Sequence, residues 1–323
     1  NNDLAPHLFR SRDRGKTWTR LTEGLPERGT VYCIAEDHIN PDLLFIGTEF
    51  GLFVTVNGGS SWIQMKAGLP TTQIRDLAIQ KRENDLVVAT FGRGFYVLDD
   101  YSPLREITEK ALETPFRFFP VKDALMFMES RDKSNMGETR YYGDNPPVGA
   151  VITYYLKESL QTRKQQRQKA EKKAIKDNQP VSYPDWESLR LEDDEESPYL
   201  LFTIADDSGV PVRRLKGSAS DGVHRLVWDF RHPDPSPVRA HDRGKANEDS
   251  GMPVLPGTYT VTAATVIDGQ IEPLPENVQV TVVPLNNATL PATDRDSVAA
   301  YQDNVTALYK AVRGSVMLLN EMD

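Results

Sequence analysis

Cysteine is nearly absent from this chain, histidine is sparse, and no apolar run is long. Cys33 is the single cysteine among 323 residues, so no disulfide can form within the chain and a disulfide-stapled scaffold is excluded. It lies inside an apolar, strand-like run and reads as a buried thiol. No stretch approaches the roughly 20 apolar residues that cross a bilayer, so no transmembrane segment is expected. The N-terminus also lacks the basic and then apolar order of a signal segment. His7, His38, His224, His232 and His241 are scattered, without HExxH or another ligand spacing, so neither a metal nor a cofactor is expected. No GxSxG, phosphate-binding glycine loop or dinucleotide fingerprint occurs, and Gly92 and Gly94 fall between strands instead of opening a helix. The formal net charge of -9 argues against a nucleic-acid partner, which calls for a basic surface.

What is present is an ordinary globular composition, 39% hydrophobic and 26% charged, with length for two or three domains. One pattern recurs within it. Ser11-Arg12-Asp13-Arg14-Gly15-Lys16-Thr17-Trp18 is answered by Thr55-Val56-Asn57-Gly58-Gly59-Ser60-Ser61-Trp62, 44 residues on, and the same offset carries Gly24-Leu25-Pro26 onto Gly68-Leu69-Pro70. A period of this length with several short strands per unit predicts propeller blades. Residues 31–35 and 74–79 are the first strands of two successive blades, 43–47 and 85–90 the second, 52–56 and 94–98 the third.

Each position of the motif has a folding role. Asp13 and Asn57 bond back to amides of their own turn. Gly15 and Gly59 supply the positive φ, the hydroxyls of Thr17 and Ser61 add a local bond, and Trp18 and Trp62 are expected to pack between blades. In the third unit Val97-Leu98-Asp99-Asp100-Tyr101-Ser102-Pro103 replaces the motif, as in a terminal repeat. At the other end, strand-like Leu8-Phe9-Arg10 follows almost at once on Asn1-Asn2-Asp3. That predicts a fragment entered inside a blade, whose first partner is the remainder of the propeller in an N-terminal chain outside this sequence.

These residues resemble the Asp-box (BNR) repeat, S/T-x-D/N-x-G-x-S/T-W, with Asn57 standing in for Asp in the second copy. Sialidases, xyloglucanase-type glycosidases and sortilin-like vacuolar sorting receptors carry it. Phe91-Gly92-Arg93-Gly94-Phe95-Tyr96-Val97-Leu98-Asp99-Asp100, followed by Ser102-Pro103-Leu104-Arg105, resembles the closing blade of large bacterial sortilin-like proteins, often labelled glycosyl hydrolases. The resemblance implies a non-catalytic, extracytoplasmic protein that binds a peptide, protein or glycan. No catalytic motif belongs to it.

The expected architecture is therefore mainly β. Residues 1–115 are the last blades of an Asp-box β-propeller, 116–284 an immunoglobulin-like β-sandwich, and 285–323 a C-terminal amphipathic helix. The sandwich strands fall at 150–156, 199–204, 212–215, 222–230, 257–266 and 278–283, joined by turns such as Asp268-Gly269, and an antiparallel arrangement is expected. Trp228-Asp229-Phe230-Arg231 and Leu255-Pro256-Gly257-Thr258-Tyr259 resemble the small immunoglobulin-like modules of bacterial surface and secreted proteins. A charged helical insertion at about 157–196 interrupts the strands. A basic run is followed there by an acidic one, which reads as a solvated hairpin, with a docking surface for an acidic partner as the alternative. In the last segment Val298, Tyr301, Val305, Leu308, Tyr309, Val312, Val316 and Leu319 form one apolar stripe, expected to pack on the sandwich or on a helix from sequence outside the chain.

Chemistry, if present, belongs at the propeller mouth. In a blade the turn between second and third strands shares the ligand face with the blade-to-blade connections, here 26–30 and 70–73. Glu49, Phe50, Phe91 and Arg93 are the candidate ligand-binding residues, Arg93 through a guanidinium able to pair with a carboxylate. Ser11, Asp13, Gly15, Thr17, Trp18, Thr55, Asn57, Gly59, Ser61 and Trp62 are structural, on the opposite face. Two other readings stay open: a glycoside hydrolase fragment whose catalytic carboxylates lie in blades outside the chain, and a structural subunit of a cell-surface complex. His232, His241, Asp234, Asp242 and Asp249 share a polar loop read as irregular rather than cation-binding. Asn287-Ala288-Thr289 and Asn304-Val305-Thr306 match the glycosylation acceptor pattern.

Overall fold

Short β-branched and aromatic runs, parted by Gly, Asn and Asp turns, make the chain mainly β. The computed structural model describes residues 3–127, 143–237, 251–285 and 294–322. Two compact units, 1–112 and 113–323, divide the chain.

The first unit holds three small antiparallel sheets in sequence order. β1 (Phe9–Arg10) pairs with β2 (Thr19–Arg20). A four-stranded sheet follows, made of β3 (Val31–Glu36), β4 (Leu44–Thr48), β5 (Gly51–Thr55) and β6 (Ile63–Met65). The third is β7 (Ile74–Gln80), β8 (Asp85–Thr90) and β9 (Phe95–Leu98). Every residue of β4 and β5 is buried, so these strands are covered on both faces, as their unbroken apolar runs demand. The second and third sheets share a register. Val31 faces Thr48 as Ile74 faces Thr90, and each first strand then skips one residue, Tyr32 and Arg75 respectively.

Gly47 is what lets β4 lie close to β7. A Cβ there would stand 2.5 Å from Cys33 Sγ and 2.9 Å from Ile74 Cβ. Cys33 itself is half-buried, less than its sequence setting predicts, because it sits at this inter-sheet seam with Sγ 3.9 Å from the Ile74 carbonyl. Burial pushes its thiol up to about 11, so it is a packing group rather than a nucleophile.

A buried ion pair closes the unit. The Asp37 side chain, just after β3, is fully shielded from solvent. Arg105, on a 3₁₀ turn at Ser102–Glu106, grips it with Nε on Oδ2 at 2.8 Å and Nη2 on Oδ1 at 2.7 Å. Tyr101 Oη donates to Oδ1 at 2.7 Å, and the amide of Asn40 to Oδ2 at 2.7 Å. Burial alone would raise the carboxyl, but the bonds from Arg105 and Tyr101 overcome it and hold Asp37 below the usual carboxylate range. Arg105 Nη2 also reaches Asn84 Oδ1 at 2.7 Å, so the segment after β9 is pinned to both the β3–β4 and the β7–β8 connections.

After α1 (Glu109–Glu113), the second unit opens with β10 (Phe116–Phe118), β11 (Ala124–Met126) and β12 (Ala150–Leu156). Next come α2 (Arg163–Lys176) and α3 (Trp186–Asp194), then β13 (Tyr199–Ala205), β14 (Pro211–Gly217) and β15 (Gly222–Trp228). β16 (Gly257–Ile267), β17 (Gln270–Pro284) and α4 (Arg295–Met322) finish it. A three-stranded sheet, β10-β12-β15, faces a five-stranded sheet, β11-β17-β16-β13-β14, across one core. Phe116, Phe118, Ile152, Tyr154 and Trp228 meet Leu200, Phe202, Ile204, Val261 and Val280 there. Asp268 and Gly269, both at positive φ, make the two-residue hairpin between β16 and β17.

The arrangement differs from the antiparallel expectation in one pair, since β11 runs parallel to β17, with Ala124 beside Val282. Pro120, between β10 and β11, offers no amide to a ladder, and across it the chain passes from one sheet to the other.

Between β12 and β13, α2 opens on a capping box at Thr162 and Gln165, α3 on Asp185. Neither helix buries a residue. Arg167 ties them, with Nε and Nη2 on Glu192 at 2.7 and 2.8 Å and Nη1 on Glu171 at 2.6 Å.

Candidate functional site

Strand direction sorts the turns of the first unit to two ends. At one, the β4–β5 turn meets the β2–β3 connection, where Glu49 N donates to Thr30 O at 3.0 Å, and the β8–β9 turn meets the β6–β7 connection, where Phe91 N donates to Gln73 O at 2.9 Å. At the other, the β5–β6 turn meets the β3–β4 connection through Gly58 N and Asp42 O at 2.8 Å. The repeated motif fills the β1–β2 and β5–β6 turns, away from Glu49, Phe50, Phe91 and Arg93.

Within the first copy Ser11 Oγ accepts from the Gly15 amide at 2.7 Å and donates to Asp13 Oδ1 at 2.8 Å. The same Oδ1 accepts from the Thr17 amide at 2.8 Å, and Oδ2 from the Thr17 hydroxyl at 2.7 Å. The bonds from Thr17 and Ser11 hold the Asp13 carboxyl at about 2. In the second copy Thr55 and Gly59 repeat the first of these bonds at 3.0 Å. Asn57 Oδ1 accepts from the Thr55 hydroxyl at 2.8 Å and the Ser61 amide at 3.0 Å. Only the last bond reverses, because the Asn57 amide donates to Ser61 Oγ at 2.9 Å. A hydroxyl works either way, which is why Asn serves where Asp does. Gly15 and Gly59 stand at φ 85° and 87°.

The two tryptophans part company. Trp62 is 4% exposed, and its Nε1 donates to Leu21 O at 3.1 Å. Trp18 is 63% exposed and bonds within its own turn, to Gly15 O at 3.1 Å, so among the described residues no blade packs on it. The covering segment is what differs: residues 21–25 run past Trp62, and no described residue buries Trp18.

At the opposite end Phe50 borders a cleft of about 770 Å³. Glu27 and Arg28 of the β2–β3 connection, Gln64 and Met65 of β6, and Lys66, Leu69 and Pro70 of the β6–β7 connection are among its walls. Gly29 leaves room for the Phe50 ring, since a Cβ there would lie 2.9 Å from Cδ2. Phe91 is exposed on the β8–β9 turn. The Arg75 guanidinium stacks on it at 5.3 Å and on Tyr32 at 4.3 Å. Tyr32 and Arg75 are the two bulged residues, each re-aimed by the bulge of its own sheet. Sequence reasoning passed over both. The signal was there in Ile74 and Leu77, both buried though three apart, an odd spacing that a regular strand cannot give. Glu49 and Arg93 share this end but do not line the cleft; Arg93 is exposed between Gly92 and Gly94.

Elsewhere, no group of three or more His, Cys, Asp or Glu that could hold a metal occurs among the described residues. Of the polar loop singled out in the sequence, His241, Asp242 and Asp249 lie outside the described residues, as does Asn287; Asn304 sits on α4. No described helix is long and apolar enough to cross a membrane.

No family model matches this chain, and no curated protein matches it. Among solved structures it is similar to the extracellular domain of BT4673 from B. thetaiotaomicron, with a TM-score of 0.25 and 10% identity over 86% of this chain and 28% of that one. It is also similar to PorZ, a bacterial surface component of the type-IX secretion system of Porphyromonas gingivalis, with a TM-score of 0.23 and 13% identity over 85% of this chain and 34% of that one. The chain thus spans about a third or less of the length of either structure.

Proposed function

We propose that residues 1–112 are successive blades of an Asp-box β-propeller, that the two-sheet part of the second unit is an immunoglobulin-like domain, and that the protein is a non-catalytic, extracytoplasmic binding protein. Its ligand is a peptide or protein segment carrying carboxylates, held at the end that bears Phe50, Arg75 and Phe91. The observation that carries this reading is the cation and aromatic grouping at that end. Arg75 lies between Tyr32 and Phe91, and Arg28 and Lys66 border the Phe50–Met65–Leu69 cleft against the single carboxylate of Glu27, a net positive lining. Guanidinium and ammonium groups over apolar walls suit an acidic chain with hydrophobic side chains.

Exposure supports the propeller part. Leu52 of β5 is 1% exposed, whereas Phe95, its counterpart in β9 by register, is 77% exposed. An outward face of this kind, like that of Trp18, fits a sheet that stacks on further blades. Tyr259 Oη donating to Leu255 O at 2.5 Å beside buried Trp228 supports the immunoglobulin-like part, where such a tyrosine corner recurs.

Peptide and glycan arrays probed with the 323-residue chain test the proposal. Acidic peptides are the expected hits, weakened by Phe50→Ala and Phe91→Ala and unaffected by Lys16→Ala at the far end. Hydrolysis of a glycoside panel that a single Asp or Glu replacement abolishes would overturn it in favour of a glycosidase.

A further inference from the structure

Beside α2 the second unit opens a cleft of about 490 Å³, within the roughly 300–1,000 Å³ of small-ligand sites. On the sandwich side Leu160, packed against the core, lines it next to Ala219, whose carbonyl accepts from the Leu160 amide at 2.9 Å. On the other side stand Gln165, Gln168, Lys169 and Lys172, at the spacing that puts side chains on one helix face. Arg167, on the opposite face, is the residue that ties α2 to α3, so the cleft face is left free.

The lining is rich in donors and poor in acceptors. Gln165 Oε1 already accepts from the Thr162 amide at 3.0 Å, which leaves its NH2 group to the cleft. Ser159 Oγ accepts from the Asp221 amide at 2.9 Å and donates to the Asp221 carboxylate. Ser220 O accepts from His224 Nε2 at 2.7 Å, and Ser220 Oγ pairs with Ser218 Oγ at 2.8 Å. Lys169 and Lys172 are exposed and form no ion pair among the described residues. None of the lining residues is acidic, and Asp221, next in the chain to Ser220, is engaged by Ser159. On a chain of net charge -9 the cleft is a local reversal of sign.

We propose that this cleft binds an acidic oligosaccharide, one that carries uronate carboxylates or sulfates. Two unpaired ammonium groups call for anions, and the amide NH2 groups beside them call for the hydroxyl and ring oxygens that a sugar supplies. The lining has no aromatic ring and no apolar side chain beyond Leu160 and Ala219, so the hydrophobic side chains of a peptide find little to bury against. The acidic partner that the basic run suggests thus falls to the face of α2 away from α3. This site is separate from the peptide-binding end of the first unit and does not rest on it.

Titration calorimetry of the 323-residue chain at about 50 mM salt tests the site, with oligogalacturonate as the carboxylate probe, a sulfated dextran as the sulfate probe and plain dextran as the neutral one. An acidic probe is expected to bind where dextran does not, and the tighter of the two tells uronate from sulfate. Its affinity should fall about tenfold or more in Lys169→Gln/Lys172→Gln. It should hold in Lys81→Gln/Lys110→Gln, which removes the same charge from exposed positions elsewhere. Glutamine keeps the helix propensity of lysine, and circular dichroism checks that α2 still folds. No binding of either acidic probe up to about 1 mM would overturn the proposal. So would dextran bound as tightly, or an equal loss in the two double variants. A loss in Arg75→Ala would move the sugar to the first unit, and poly-glutamate bound through Lys169 and Lys172 would give the cleft to an acidic peptide; either result also overturns it.

Discussion

At Asp13 the carboxylate accepts from the Thr17 amide, the Thr17 hydroxyl and the Ser11 hydroxyl, all three donors drawn from its own turn. Its folded pKa of about 2 lies below the unfolded value, so its contribution is present above the ordinary carboxylate range and is lost as pH falls through about 2. A proton titration followed by NMR should find that midpoint, and Ser11→Ala should move it up; a midpoint near 4 in the wild type would contradict the turn geometry. Asn57→Asp should be tolerated within about 0.5 kcal/mol by urea unfolding, because Ser61 need only turn its hydroxyl to donate. Asp37 is a different case. Removing it in Asp37→Ala strands the Arg105 guanidinium in a nearly buried site, and a loss of about 3–5 kcal/mol is expected in the same assay. Nothing in the sequence marks this pair. Asp37 and Arg105 are 68 residues apart, and only the chain's return after β9 brings them together.

Elements were more legible than residues. The strands expected at 85–90 and 150–156 stand at those residues, because Gly, Asn and Asp bound β-branched runs there. The Tyr32 and Arg75 bulges were not read, since a bulge is a slip in alternation that an apolar run masks. The parallel β11–β17 pair was hidden because three residues carry no sign of the strand they will join. At Gly47 an inter-sheet approach is set by a missing side chain, and Gly47→Ala should cost about 1–3 kcal/mol in thermal or urea unfolding, by pressing on Cys33 and Ile74. The α2–α3 hairpin is the opposite: its helices bury nothing, so Arg167→Ala should lower hydrogen-exchange protection in α3 while the urea midpoint of global unfolding stays where it is.

For the whole molecule, a repeat that first suggests a glycosidase signature belongs to the turns at one end of the first unit, where the Asp13 and Asn57 side chains and the hydroxyls of Ser11, Thr17, Thr55 and Ser61 bond within the turn itself. The other end holds the groups left over for a partner. Of the four candidates named from the sequence, Phe50 borders the cleft and Phe91 joins the Arg75 stack, while Glu49 and Arg93 stand nearby without lining it. Loop position was readable from the 44-residue period; the chemistry of the end depended on side chains that two bulges redirect.

Calorimetric affinity of the 323-residue chain for an array-selected acidic peptide, wild type against Arg75→Ala, tests the central claim most directly. Arg75 is exposed, so its loss should leave the fold intact by circular dichroism and weaken binding about tenfold or more. Affinity unchanged in Arg75→Ala, or lowered equally by Lys16→Ala at the far end, would contradict the assignment of the ligand to the Phe50–Arg75–Phe91 end.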